Sequence, residues 1–304
     1  MKDRGTATVS LSEAAMSAYR YLRDVEEALK AHACFVERVG EASWDFALPN
    51  ARAAPGRAEL QDGWLTLTVP YGSIADAARA WDLLCAGGQL GGLARFVLRD
   101  RVAHVQAEIP LCEGSDVVLR CRQCLLRIHE TLAAAQRDED LSLPPDVVSD
   151  GQLINAGELL EEAGWAGFPR RPGLWAVELE TGRGAYCQAL LEPRAEGLRL
   201  WVELLRWTAP SRISAAALGA FLLTACGALR LVRAAGEDGE PVRARFEVCF
   251  ETAPTPAELD RALGALSVAC RMCAREALAL EDPAIAATYL LMQGHWTEGG
   301  LHDG

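Results

Sequence analysis

A chain of 304 residues, half of them apolar and 24% charged, is long enough for two ordinary domains with a core in each, and its composition is not that of a disordered protein. Its formal net charge of −12 repels phosphate backbones, which argues against nucleic acid as a partner. The ten cysteines are scattered, Met1-Lys2-Asp3-Arg4 runs into polar residues, and the longest uncharged run, 213–229, is shorter than the roughly 20 apolar residues that span a bilayer. These features lead us to expect a cytoplasmic protein with reduced thiols and no membrane contact.

The first element is a helix over 11–33, opened by the capping-box sequence Ser10-Leu11-Ser12-Glu13 and apolar at Leu22, Val25, Leu29 and Ala33. Strands follow over 44–48, 57–61 and 64–69, the last two joined at Asp62-Gly63, a pair that tolerates positive φ. Ser73 is positioned to cap a helix over 74–86, with Asp76, Arg79 and Asp82 for solvent and Ile74, Ala78, Trp81 and Cys85 for the core. Strands over 95–99 and 102–111 turn at Asp100-Arg101, and Ser115 begins a helix to about 136 whose apolar face runs Val118, Cys121, Leu125, Ile128 and Leu132. The charged, Pro-containing stretch 137–150 breaks every periodicity and reads as a linker.

The same order then returns. A helix over 151–163 precedes strands over 175–179, 185–191 and 198–205, an apolar helix over 212–226, and strands over 228–233 and 242–251 around a polar tip at 235–241. Thr255-Pro256-Ala257-Glu258 is a capping box with Pro at the first helical position, opening a helix to about 280; a short helix over 284–292 follows. Gly197-Leu198-Arg199-Leu200 lies 134 residues after Gly63-Trp64-Leu65-Thr66, and helix, glycine, strand and strand follow in both places. The reading is therefore α+β: two similar domains, each an antiparallel sheet with helices in the order α-β-β-β-α-β-β-α, forming a pseudo-dimer in one chain. The boundaries are 1–140 for the first repeat, 141–150 for the linker, 151–281 for the second repeat and 282–304 for a tail. The helix over 213–229 is apolar all round, so its own sheet cannot cover it; the first repeat or another chain must supply the rest.

That element order, together with Trp81-Asp82-Leu83-Leu84, Leu93-Ala94-Arg95-Phe96-Val97 and Ala107-Glu108-Ile109-Pro110-Leu111, resembles the type III secretion chaperone-like superfamily, which includes YbjN-type proteins. The resemblance covers 11–137 and 151–280. It implies a sheet packing a helix pair on one face, no enzymatic activity, and a role in holding extended segments of client proteins. Members are commonly small homodimers. This chain is twice as long, so an internal pseudo-dimer, or a homodimer of it, is expected.

Other motifs are weighed against plainer readings. Cys121-Arg122-Gln123-Cys124 and Cys270-Arg271-Met272-Cys273 have zinc-like spacing, but both lie mid-helix at different distances from their caps, so buried packing is expected and no metal. The run 87–92 follows a helix and lacks Lys-Ser/Thr, the reverse of a phosphate loop, and reads as a helix stop. Gly182-Arg183-Gly184 is a hairpin turn; Glu161-Glu162 and Glu237-Asp238 read as a solvated helix face and a loop tip. His32, His104, His129, His295 and His302 show no metal-ligand spacing. Trp165, Phe168 and Trp175 surround a Gly/Pro-rich stretch and are the candidate partner-binding residues, with packing as their simpler role. The expectation is a non-enzymatic protein-binding module without cofactor, holding a protein client. The alternatives are a small-molecule sensor or enzyme using the interdomain cleft, and a structural subunit.

Overall fold

The computed structural model of the protein describes residues 11–49, 55–74, 77–88, 92–112, 114–136, 154–182, 184–194, 197–208 and 210–294. Ser10, Asp76, the interior of the glycine run at 89–91, Arg183, the expected linker at 141–150, His295 and His302 lie outside the described residues.

The first half runs α1 (Leu11–His32), β1 (Phe35–Gly40), β2 (Ser43–Ala47), β3 (Gly56–Gln61), β4 (Trp64–Ser73), α2 (Ala78–Gly87), β5 (Ala94–Arg99), β6 (Val102–Pro110) and α3 (Val117–Gln136). The second runs α4 (Ala156–Glu162), β7 (Gly167–Arg171), β8 (Leu174–Gly182), β9 (Ala185–Pro193), β10 (Leu198–Trp207), α5 (Arg212–Ala228), β11 (Arg233–Glu237), β12 (Val242–Phe250), α6 (Pro256–Ala279) and α7 (Pro283–Met292). Each half builds an antiparallel six-stranded sheet. The orders are β1-β2-β3-β4-β6-β5 and β7-β8-β9-β10-β12-β11, so β4 and β10 hold the same place. The sequence echo is a structural repeat.

Each meander has four strands rather than the expected three. The missed strands, β1 and β7, are the outer edges of their sheets and are almost wholly exposed, so neither carries the alternation that marks a half-buried strand. Pro169 cannot donate to a ladder, and an edge strand tolerates such a residue. Other boundaries move for local reasons. Asp116, not Ser115, caps α3, its Oδ1 accepting from Leu119 N at 2.9 Å, and the buried stripe of that helix begins at Val117 while Val118 is exposed. Ala77 precedes α2 without a side-chain cap, and Asn155 caps α4. Residues 229–232, Leu229-Arg230-Leu231-Val232, form a bent connection with Leu231 at φ 64°, so β11 starts at Arg233.

The alternation in β4 and β10 sends Leu65, Leu67 and Val69, and Leu198, Leu200 and Val202, to the helix-covered faces. The halves meet through their middle helices. α5 packs on α2 and on β5 of the first half, and α2 packs on β11 of the second, so each middle helix covers the opposite sheet's inner edge. Gly219 makes this approach possible: a Cβ there would lie 2.5 Å from the backbone N of Trp81. Leu218, Leu222, Leu223 and Cys226 are all buried, and α7 closes the outer side, with Phe221 and Tyr289 edge to face at 6.0 Å. The apolar helix thus receives the second cover that its composition demanded. Each buried Leu here contributes about 1.5–3 kcal/mol.

Candidate functional site

Polar groups fix the halves where the helices bring them together. Arg95 on β5 donates from Nη2 to Glu108 Oε2 on β6 and to the carbonyl of Leu229 at the end of α5, both at 2.8 Å. Glu108 also accepts from Leu231 N at 2.7 Å and from Arg230 Nη1 at 2.9 Å. Burial alone would raise its carboxyl, but Arg95, the Leu231 N–H and Arg230 outweigh burial and hold it below the ordinary carboxylate value. A second lock joins the N-terminal ends of α3 and α6. Buried Arg120 donates to Glu258 from Nε at 3.2 Å and Nη2 at 3.0 Å, and also to Thr252 Oγ1 and the Ala253 carbonyl. Trp81 Nε1 donates to Asp238 Oδ1 at 2.7 Å across the same seam, a structural role for an acid expected only at a loop tip.

Beside these locks both halves build an open groove of about 500 Å³. The first half supplies Asp62 and Trp64 at the β3–β4 hairpin, where Asp62 (φ 51°) and Gly63 (φ 77°) make the expected turn. The end of α5 supplies Leu229 and Arg230, and α6 supplies Arg261, Gly264, Ala265, Val268 and Met272. The Trp64 ring has the Arg230 guanidinium at 5.9 Å and that of Arg261 at 5.5 Å from its centroid. Arg261 Nη1 donates to the Gly63 carbonyl at 3.3 Å. Val268 and Met272 are 37% and 56% exposed, large apolar side chains open to solvent on the groove wall. The charged lining is Asp62, Arg230 and Arg261, and among the described residues no hydroxyl, thiol or imidazole lines it. Such a surface can hold a chain segment by apolar contact and charge.

The candidate aromatics are not gathered on one surface. Trp165 donates from Nε1 to Asp260 Oδ1 at 3.0 Å, tying the end of α4 to α6. The Trp175 ring lies under Gly157 of α4, where a Cβ would come within 2.5 Å of it. Phe168, in register with Ala176 while Pro169 pairs with Trp175, lies on the other face of the sheet and is 37% exposed. The stretch expected as a loop is strand β7 and its turn.

Burial pushes the thiols of the first Cys pair up, Cys121 to about 12 and Cys124 well above the usual range. Cys270 is raised by its hydrogen bond with Cys187 and by burial, and burial takes Cys273 to about 11. These thiols stay protonated at neutral pH. Among the described residues no cluster of three or more His, Cys, Asp and Glu side chains has the makings of a metal site, and no helix is long and apolar enough to cross a membrane.

The sequence reading passed over Arg230, Arg261, Val268 and Met272. A signal was present. Along 261–275 apolar residues recur at 265, 268 and 272, on a different side of the helix from buried Leu259, Leu263 and Leu266, so α6 is apolar on two sides. Comparison with protein-family models, curated proteins and solved structures found no match.

Proposed function

We propose that the chain is a non-enzymatic protein-binding module, a chaperone-like adaptor that holds a segment of a client protein in the groove between its halves. The observation carrying this reading is the placement of exposed Val268 and Met272 beside Trp64 in a groove that exists only because the two halves are locked together. Large apolar side chains left open in a concave surface mark an interaction site. The resemblance of the element order to secretion chaperones supports the same reading. The test places a photo-crosslinking amino acid at Met272, and at exposed Leu126 on α3 as a control, in the cells that make the protein. The reading expects adducts to one defined client segment from position 272 only. Equal labelling from both positions would overturn it.

A small-molecule sensor in the same groove is the second reading, favoured by the two guanidiniums beside the Trp64 ring. It expects a small anion to raise the melting temperature of the wild type but not of Arg261→Ala.

A further inference from the structure

We infer that the groove selects an extended client segment with apolar side chains in its middle and a carboxylate toward each end; this rests on the client-binding reading above. At 100° per residue, Arg261, Gly264, Ala265, Val268, Met272 and Arg275 share a stripe of α6 about 100° wide. Apolar residues fill the middle of the stripe; Arg261 lines the groove at one end, and Arg275 stands just under one helical turn beyond Met272 at the other. Among the described residues neither arginine makes an ion pair. Arg261 bonds a carbonyl and stacks on Trp64, and Arg275 is exposed with no ion pair among the described residues. Arg230, by contrast, is already paired with Glu108 at 2.9 Å.

The two guanidiniums flanking an apolar floor carry a charge opposite to the chain's net charge of −12. The nearby acids are Asp62, which lines the groove, and Asp260 and Glu276, the chain neighbours of Arg261 and Arg275. They leave room for separate carboxylates but repel a polyanion. The two arginines are separated by a helical rise of about 21 Å, at about 1.5 Å per residue. An extended chain crosses that distance in about six or seven residues, rising about 3.3 Å each. Alternate side chains of such a segment would meet Val268 and Met272.

The test is selection of a random heptapeptide library on the full-length wild type. Met272→Glu serves as the counter-target, and enriched peptides are resynthesised with a fluorophore and their Kd measured by anisotropy. The inference expects enriched peptides with Asp or Glu toward both ends and apolar residues between. Arg261→Gln and Arg275→Gln should each bind them about threefold more weakly, and the double variant about tenfold more weakly. High salt should erase that difference. Both arginines are at least partly exposed, and equal melting temperatures verify that the variants are folded. Peptides enriched over Met272→Glu but neutral or basic at their ends would overturn the charge pattern and leave the adaptor reading standing. No enrichment over Met272→Glu would sink both.

Discussion

Arg95 and Arg233 occupy equivalent places in the two halves but bind different partners. Each sits on the inner edge strand, Arg95 in register with Gln106 on β6 and Arg233 with Glu247 on β12. In the second half the acid stands directly opposite its arginine, and Glu247 gathers Arg233, Arg199 and Arg245 within its own sheet at 2.8, 2.6 and 3.1 Å. In the first half that position is Gln106, and the acid, Glu108, stands two residues further along. There it reaches Leu231 and Arg230 of the other half. Moving one carboxylate along one strand changes an internal clamp into a lock between halves. The backbone repeat is retained while the chemistry on it is not, and the groove lies on the side where Glu108 holds Arg230 in place.

The largest expected effect comes from breaking what the halves share. Leu222 and Leu223 are 0% and 1% exposed, so Leu222→Asp or Leu223→Asp buries a charge without a partner and should prevent the second half from folding. Gly219→Leu should be milder, costing about 3 kcal/mol by forcing α2 and α5 apart. Urea denaturation followed by circular dichroism measures both, and a Leu222→Asp protein as stable as wild type would contradict the shared-helix interface.

Next in size is the lock at α3 and α6. Arg120→Met leaves Glu258 buried without its cation and should cost about 3–5 kcal/mol, whereas Arg120→Met with Glu258→Met should recover most of that. A double variant no more stable than the single one would mean that packing, not the ion pair, joins these helix ends.

A pH titration separates the two clamps. For Glu247 the three arginines outweigh burial and bring the carboxyl to about 2 from an ordinary 4.5. A depressed folded value stabilises fully above 4.5, and that stabilisation is lost as the pH falls toward 2; the difference is about 3 kcal/mol. Glu247→Gln, which copies Gln106, should remove this acid dependence from the second half. Glu108→Gln should also flatten the acid limb but additionally remove the charge that holds Arg230 across the seam, so it alone should increase cleavage by protease near 229–232. Equal protection in both variants would show that Glu108 does not hold the seam.

Periodicity and turn chemistry made most of the architecture legible. The 134-residue echo, the Asp62-Gly63 turn and the capping box at Thr255 all stand, because each is a local signal that packing reinforces. Edges and seams were not legible. β1 and β7 bury no face of their own, and 229–232 bends away from strand geometry because Glu108, distant in sequence, binds the Leu231 N–H. The groove was hidden for the same reason. Trp64 and Arg261 are neighbours only after the sheets are in place, and nothing near either residue in sequence announces the other.

The smallest expected effects lie at the aromatics of the second half, and they can decide where a client binds. Trp165→Phe removes the bond to Asp260, and since that bond is on the surface the loss should be about 1 kcal/mol or less. Phe168→Ser changes an exposed side chain on a free edge and should stay within about 0.5 kcal/mol. If clients bind in the groove, peptides selected on the wild type should bind Phe168→Ser with unchanged Kd. If they pair instead with the free edge of the second sheet, Phe168→Ser should weaken binding while Met272→Glu leaves it alone. Pro169 makes β7 a poor strand acceptor, since it has no N–H to donate to a ladder partner. We therefore expect the anisotropy titrations to report loss at Met272 and none at Phe168.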